Sequence, residues 1–101
     1  MENQHTKIKG YRDLSQKEID LMNEIKTKAE EINLLIGKVR GHLFCQQRDS
    51  DLAMTQKDFG CAIESNRLIE AQPVRWLSIA TTDLQTGLME LTRSVAQPTT
   101  F

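Results

Sequence analysis

Apolar residues in the first half of the chain recur at alternating steps of three and four: Met22, Ile25, Ala29, Ile32, Ile36, Val39 and Leu43. These are the a and d positions of three heptads, and they predict a helix that wants a partner helix along its whole length. A start signal precedes the run. Ser15 has the side chain of an N-cap, Glu18 three residues later can reach back to the Ser15 amide, and Leu14 and Ile19 can close a hydrophobic staple. The spacing therefore predicts a first helix over about 16–43. Its outer face carries Lys17, Glu24, Lys28, Glu31 and Lys38, with Glu24 and Lys28 in the favourable i,i+4 order. Ile19 and Leu35 widen the seam at e and g, and Lys26 falls at an e position on its rim. Gly37 and Gly41 make a small-xxx-small pair that permits close helix approach or a bend.

The segment CQQRDSDLAMT, residues 45–55, is polar and holds turn formers, so the chain reversal is predicted there. Helical pattern resumes with Phe59, Ala62, Ile63 and Ile69, and Gln72-Pro73 interrupts it. A proline there either opens a new helix at its first position or kinks a continuous one. Beyond it Leu77, Ala80, Leu84, Leu88, Leu91 and Val95 define one face, and Pro98 stops the helix. Residues 1–9 are polar and aperiodic, a flexible arm that Gly10 can turn onto the body. The expected architecture is one all-α domain over 1–101: a hairpin of two long antiparallel helical arms, the second kinked near Pro73, with a short N-terminal arm and a tail at 97–101.

Composition narrows the function. A hairpin of 101 residues buries one stripe poorly by itself, so a compact homo-oligomer is expected. The 13 basic and 14 acidic residues leave a net charge of −1, unlike a protein that tracks a nucleic-acid backbone, so an anionic ligand would have to be met by a few local cations. Cys45 and Cys61 form no CxxC pair and follow no secretory segment, which reads as a reduced, intracellular setting. No apolar run reaches the length of a membrane span.

Catalytic constellations are missing. The chain holds no GxxxxGK[ST] loop, no GxGxxG and no HExxH. His5 and His42 lack ligand-spaced partners, and the adjacent Glu30 and Glu31 diverge around a helix. No catalytic residue, metal set or cofactor is indicated, and an enzyme is not expected. Binding is what remains. Tyr11, just ahead of the cap, is either a staple for the arm or a platform on which a nucleobase stacks. Lys26 is either a solvated edge lysine or a phosphate ligand. An oligomer favours the second reading of both, because copies from neighbouring subunits would converge on one anion site.

Two blocks carry a resemblance. GYRDLSQKEIDLMNEIK (10–26) and RWLSIATTDLQTGLMELTRSVAQPTTF (75–101) resemble the phage anti-CBASS cyclic-oligonucleotide sponge family, the second anti-CBASS family described. They cover a little under half of the chain, in the family's order. The resemblance implies a homohexamer without catalysis, working in the cytoplasm of an infected bacterial host. It would bind cyclic dinucleotides such as cyclic GMP–AMP between subunits and cyclic trinucleotides at a separate site, starving CBASS effectors of their messenger. It implies a base-stacking role for Tyr11, a phosphate-binding role for Lys26, and a pocket-closing role for the ending Pro98-Thr99-Thr100-Phe101. Arg12, Lys28 and Arg67 are candidates for the trinucleotide site by position and charge alone, and a lysine at 28 departs from a smaller polar residue in relatives. Neither a DNA or RNA polymer nor a membrane is an expected partner. The rival readings are a coiled-coil adaptor that binds a partner's helix, which explains the heptads equally well, and a small helical DNA-binding protein, which the net charge disfavours.

Overall fold

The capping box predicted at Ser15 is present in the computed structural model, which describes residues 13–55 and 59–99. The Ser15 amide donates to Glu18 Oε1 at 2.9 Å, and the Glu18 amide donates to Ser15 Oγ at 3.2 Å. Two amides that would otherwise lack partners are thus satisfied reciprocally, and the Ile19 amide makes the first helical bond to the Ser15 carbonyl. From there α1 runs Gln16–Thr55 without a break.

That length corrects the expected reversal at 45–55. The whole of that segment is helical, up to Thr55. The reason lies in the same 3,4 spacing. Beyond Leu43 the seam positions are Gln46, Ser50 and Ala53, and all three are buried or half-buried. Ser50 is only 4% exposed. The seam therefore continues on polar and small side chains, which a reading of apolar periodicity cannot detect.

The second arm is two helices, α2 at Phe59–Ala71 and α3 at Pro73–Ala96. Gln72 stands between them in the left-handed region, at φ 49. Its amide donates to the Leu68 carbonyl at 3.0 Å, closing α2, and its carbonyl accepts the Trp76 amide at 3.2 Å, opening α3. Pro73 is thus the first residue of a new helix, where its missing N–H costs nothing. The other Gln-Pro pair repeats the device. Gln97 has φ 54 and donates to the Arg93 carbonyl at 2.8 Å, and Pro98 follows it.

Two units make up the chain. One contains α1 up to Ile32 with α3 from Asp83 onward, and the other spans Asn33–Thr82. In each, a stretch of α1 is grouped with a stretch of the second arm, which is the pairing of an all-α hairpin whose second arm bends at Gln72.

The seam of α1 is where the spacing placed it. Met22, Ile25, Ala29, Ile32 and Leu43 are half-buried, Ile36 is 9% exposed, and Val39 lies just at the exposed edge. The faces of the second arm differ from expectation. In α2 it is Leu68 that is buried, at 5% exposed, while Ile63 and Ile69 point outward. In α3 the half-buried positions include Leu77, Thr81, Leu88, Thr92 and Val95, so Ala80, Leu84 and Leu91 are displaced to the exposed flank. The two threonines can occupy the inner face because each hydroxyl donates to the carbonyl four residues back. Thr81 reaches Leu77 at 2.8 Å, and Thr92 reaches Leu88 at 2.9 Å. Close approach at the glycine pair is also not found among the described residues, since a Cβ built on Gly37 or Gly41 meets nothing within 4 Å.

Candidate functional site

Lys26 projects from the e position of α1 into a cavity of about 530 Å3. Met22, Ile25 and Ala29 from α1 and Leu88, Met89 and Ala96 from α3 make its apolar walls, and Pro98 contributes from the tail. All of these residues belong to the same unit. The polar groups on the wall are Lys26, Arg93 and Thr92, and no carboxylate lies among the described residues that line it. The Thr92 hydroxyl spends its proton on the Leu88 carbonyl, so it faces other groups as an acceptor. A hollow with hydrocarbon walls and two cations suits a ligand that is planar and apolar in one part and anionic in another.

Arg93 was not singled out by its sequence context, where it is one arginine among several. What marks it is tertiary: the pairing of α1 with the end of α3 brings it to the same cavity as Lys26. Of the tail residues expected here, Pro98 lines the cavity, and Thr99 is exposed and does not belong to its lining. Tyr11, Arg12, Thr100 and Phe101 lie outside the described residues, as does the arm at 1–9.

The two remaining cations expected at a trinucleotide site are each paired locally. Lys28 Nζ lies 3.4 Å from Glu31 Oε2, one turn away on α1. Arg67 grips Glu64 with both arms of its fork, at 2.9 Å from Nε and 2.6 Å from one terminal nitrogen. That hydrogen-bonded pair holds the Glu64 carboxyl below its ordinary pKa and raises Arg67, although both groups are in water. Lys28 belongs to one unit and Arg67 to the other.

The second unit has smaller hollows. One of about 270 Å3 is lined by Arg40, Leu43, Phe44, Gln47, Val74, Leu77 and Ser78. Beside Val74 the Arg75 guanidinium lies over the Trp76 ring, 5.3 Å from its centroid. No group of His, Cys, Asp and Glu among the described residues could hold a metal ion, and no described helix is long and apolar enough to cross a membrane.

Comparison with known proteins agrees with the hairpin. Residues 4–96 match the family described as Acb2/Tad1, hairpin domain. The chain is also 41% identical over 105 aligned positions to Anti-CBASS protein 2 of Pseudomonas phage JBD67, an alignment that covers 97% of this chain and 97% of that protein. A match over most of the chain, with this identity along nearly the full length of both sequences, shows that the protein belongs to the Acb2/Tad1 hairpin-domain family.

Proposed function

We propose that this protein is a phage counter-defence factor that binds cyclic dinucleotides such as cyclic GMP–AMP and holds them intact in the cytoplasm of an infected bacterium, so that CBASS effectors are not activated. The observation that carries this reading is the cavity at Lys26: apolar walls, two cations and no lining carboxylate. A cyclic dinucleotide has two bases to bury and a ring with two phosphates to neutralise, and those are the two things such a wall offers. Membership of the family, and a relative named as an anti-CBASS protein, support the biological role.

The working form is a homo-oligomer, a hexamer by the family resemblance. Its support is the exposed apolar surface. Among the described residues Ile36 and Leu68 are the buried apolar ones, while Phe44, Leu34, Ile63, Ile69, Met89 and eleven other large apolar side chains face outward. A monomer rarely leaves so much uncovered. Copies related by a two-fold axis would place one Lys26 and one Tyr11 from each subunit around the ligand, matching its own near-symmetry. Arg12, Lys28 and Arg67 are assigned to a second site for cyclic trinucleotides, at which Lys28 and Arg67 would have to exchange their present carboxylate partners.

Calorimetry with cyclic GMP–AMP tests the reading. The wild-type protein should bind it, and less tightly as salt is added. Lys26→Glu sets repulsion against phosphate, and Tyr11→Ala removes a stacking platform worth about 1–3 kcal/mol per base, so each should lose at least roughly tenfold in affinity. Variants that assemble normally by light scattering and still bind like the wild type would move the site elsewhere.

A further inference from the structure

The 270 Å3 hollow of the second unit lies between α1 and the first two turns of α3. Leu43 and Leu77, both half-buried, line its inner side, and the exposed Phe44 and Val74 extend the apolar wall outward. Arg40 reaches it from α1 and Ser78 from α3. What sets Arg40 apart is that it is unengaged. In the same unit Arg48 lies 3.4 Å from Asp49, Arg67 holds Glu64, and Arg75 donates to Gln72 Oε1 and covers the Trp76 ring. Arg40 has no such partner among the described residues. Ser78 stands out in a similar way. The hydroxyls of Thr81, Thr92 and Ser94 each bond back to a carbonyl three or four residues earlier, as hydroxyls within helices commonly do. Ser78 makes no such bond among the described residues, so its proton is available to the hollow. No carboxylate lies among the described residues of the lining, and Gln47 donates to Asp51 outside it.

We propose that this hollow binds a small organic monoanion with an apolar body, an aryl or branched aliphatic carboxylate. Its headgroup would take Arg40 and Ser78, and its body would lie against Leu43, Phe44, Val74 and Leu77. Size and charge select that class. Ligand pockets run from about 300 to 1,000 Å3, and this hollow, at about 270 Å3, sits at the small end. It has about half the volume of the cavity at Lys26, and one guanidinium does not neutralise a ring with two phosphates. The guanidinium fork matches a carboxylate edge-on with two parallel N–H donors, and the Ser78 hydroxyl adds another. A bare inorganic anion would leave the apolar wall wet, and a neutral aryl group would leave Arg40 unmatched. The inference is independent of the cyclic-nucleotide reading, because every lining residue lies within Asn33–Thr82 and Lys26 belongs to the other unit.

The test is an NMR titration of the full chain with phenylacetate, with its neutral isostere phenylacetamide and inorganic phosphate as comparisons. Phenylacetate should bind with a dissociation constant of about 1 mM or tighter, and should shift the Leu43, Val74 and Leu77 methyls and the Arg40 Nε proton while leaving Leu88 in place. Phenylacetamide and phosphate should each bind more weakly. Arg40→Gln should lose at least about threefold in affinity for phenylacetate, a modest figure because the guanidinium is exposed to water, and its remaining binding should no longer respond to salt. Ser78→Ala should weaken binding less than Arg40→Gln does. Arg40 and Ser78 are exposed, so both variants should fold, and their melting temperatures are recorded to check it. Phenylacetate that fails to bind, as it would if a second copy covered the hollow, overturns the proposal. So do shifts confined to the cavity at Lys26, equal affinity for phenylacetamide, or wild-type affinity in Arg40→Gln. Cyclic GMP–AMP binding is measured on the same variants and should not change; a matching loss there would overturn the hollow as a separate site.

Discussion

Leu68→Ala is the substitution that weighs most on the packing of this chain. Leu68 lies on α2, is 5% exposed, and shares the buried apolar interior with Ile36. Removing its side chain forfeits burial and leaves a cavity, which together cost about 2–5 kcal/mol in well-packed proteins. Small domains are stable by only about 5–15 kcal/mol, so this one change should consume a large share of the total. At about 4–8 °C per kcal/mol for a domain of this size, the melting temperature should fall by roughly 10 °C or more. Urea unfolding and thermal melts followed by circular dichroism would measure it. Ile63→Ala, made on the same helix at a position 76% exposed, is the control. Within the chain it should cost less than about 0.5 kcal/mol, since little burial is lost. A larger loss at Ile63, growing as the protein is concentrated, would report burial against another copy. A loss below about 1 kcal/mol at Leu68 would refute the packing of α2 described above.

Three further outcomes are expected. Ser50 Oγ is buried without a hydrogen-bond partner among the described residues, so Ser50→Ala should stabilise the protein by about 1 kcal/mol in urea titrations, the cost of an unsatisfied hydroxyl being removed. Gly37→Ala should raise the melting temperature, because alanine gains about 0.5–1 kcal/mol over glycine inside a helix and the new Cβ meets nothing within 4 Å among the described residues. A fall in melting temperature there, with dissociation seen by light scattering, would place a neighbouring copy on that face. The Glu64 carboxyl is held below its ordinary pKa by Arg67, so the pair contributes at pH values above the ordinary carboxylate range. That contribution should be lost as pH falls through the lowered value, seen as a shift of the Arg67 Nε proton resonance that Glu64→Gln abolishes.

The local chemistry of this fold was legible in its sequence, and the tertiary chemistry was not. Ser15 and Glu18 are close in sequence and complete one motif, so the start of α1 could be placed to the residue. The heptads from Met22 to Leu43 were readable because every a and d position there is apolar. The end of α1 was missed because Gln46 and Ser50 keep the spacing but not the hydrophobicity, and the eye stops where the leucines stop. The face of α3 was misjudged for a related reason. Thr81 and Thr92 score as polar, yet they pack inward once their hydroxyls bond back to the helix. Lys26 could be nominated from its place on the rim of a seam. Arg93 could not, because what distinguishes it from Arg75 or Arg40 is the cavity it shares with a residue on another helix, and spacing within one helix carries no trace of that.

Sequestration without turnover is the central claim, and one measurement reaches it directly. The protein is mixed with a limiting amount of cyclic GMP–AMP, held for hours, then heat-denatured, and the released nucleotide is separated by chromatography and weighed against the input. The account predicts quantitative binding at a fixed ratio of ligand to subunits, and full recovery of the cyclic nucleotide after denaturation. Accumulation of linear dinucleotide or mononucleotide with time would contradict it, and so would a pool of cyclic GMP–AMP that stays free in the presence of excess protein.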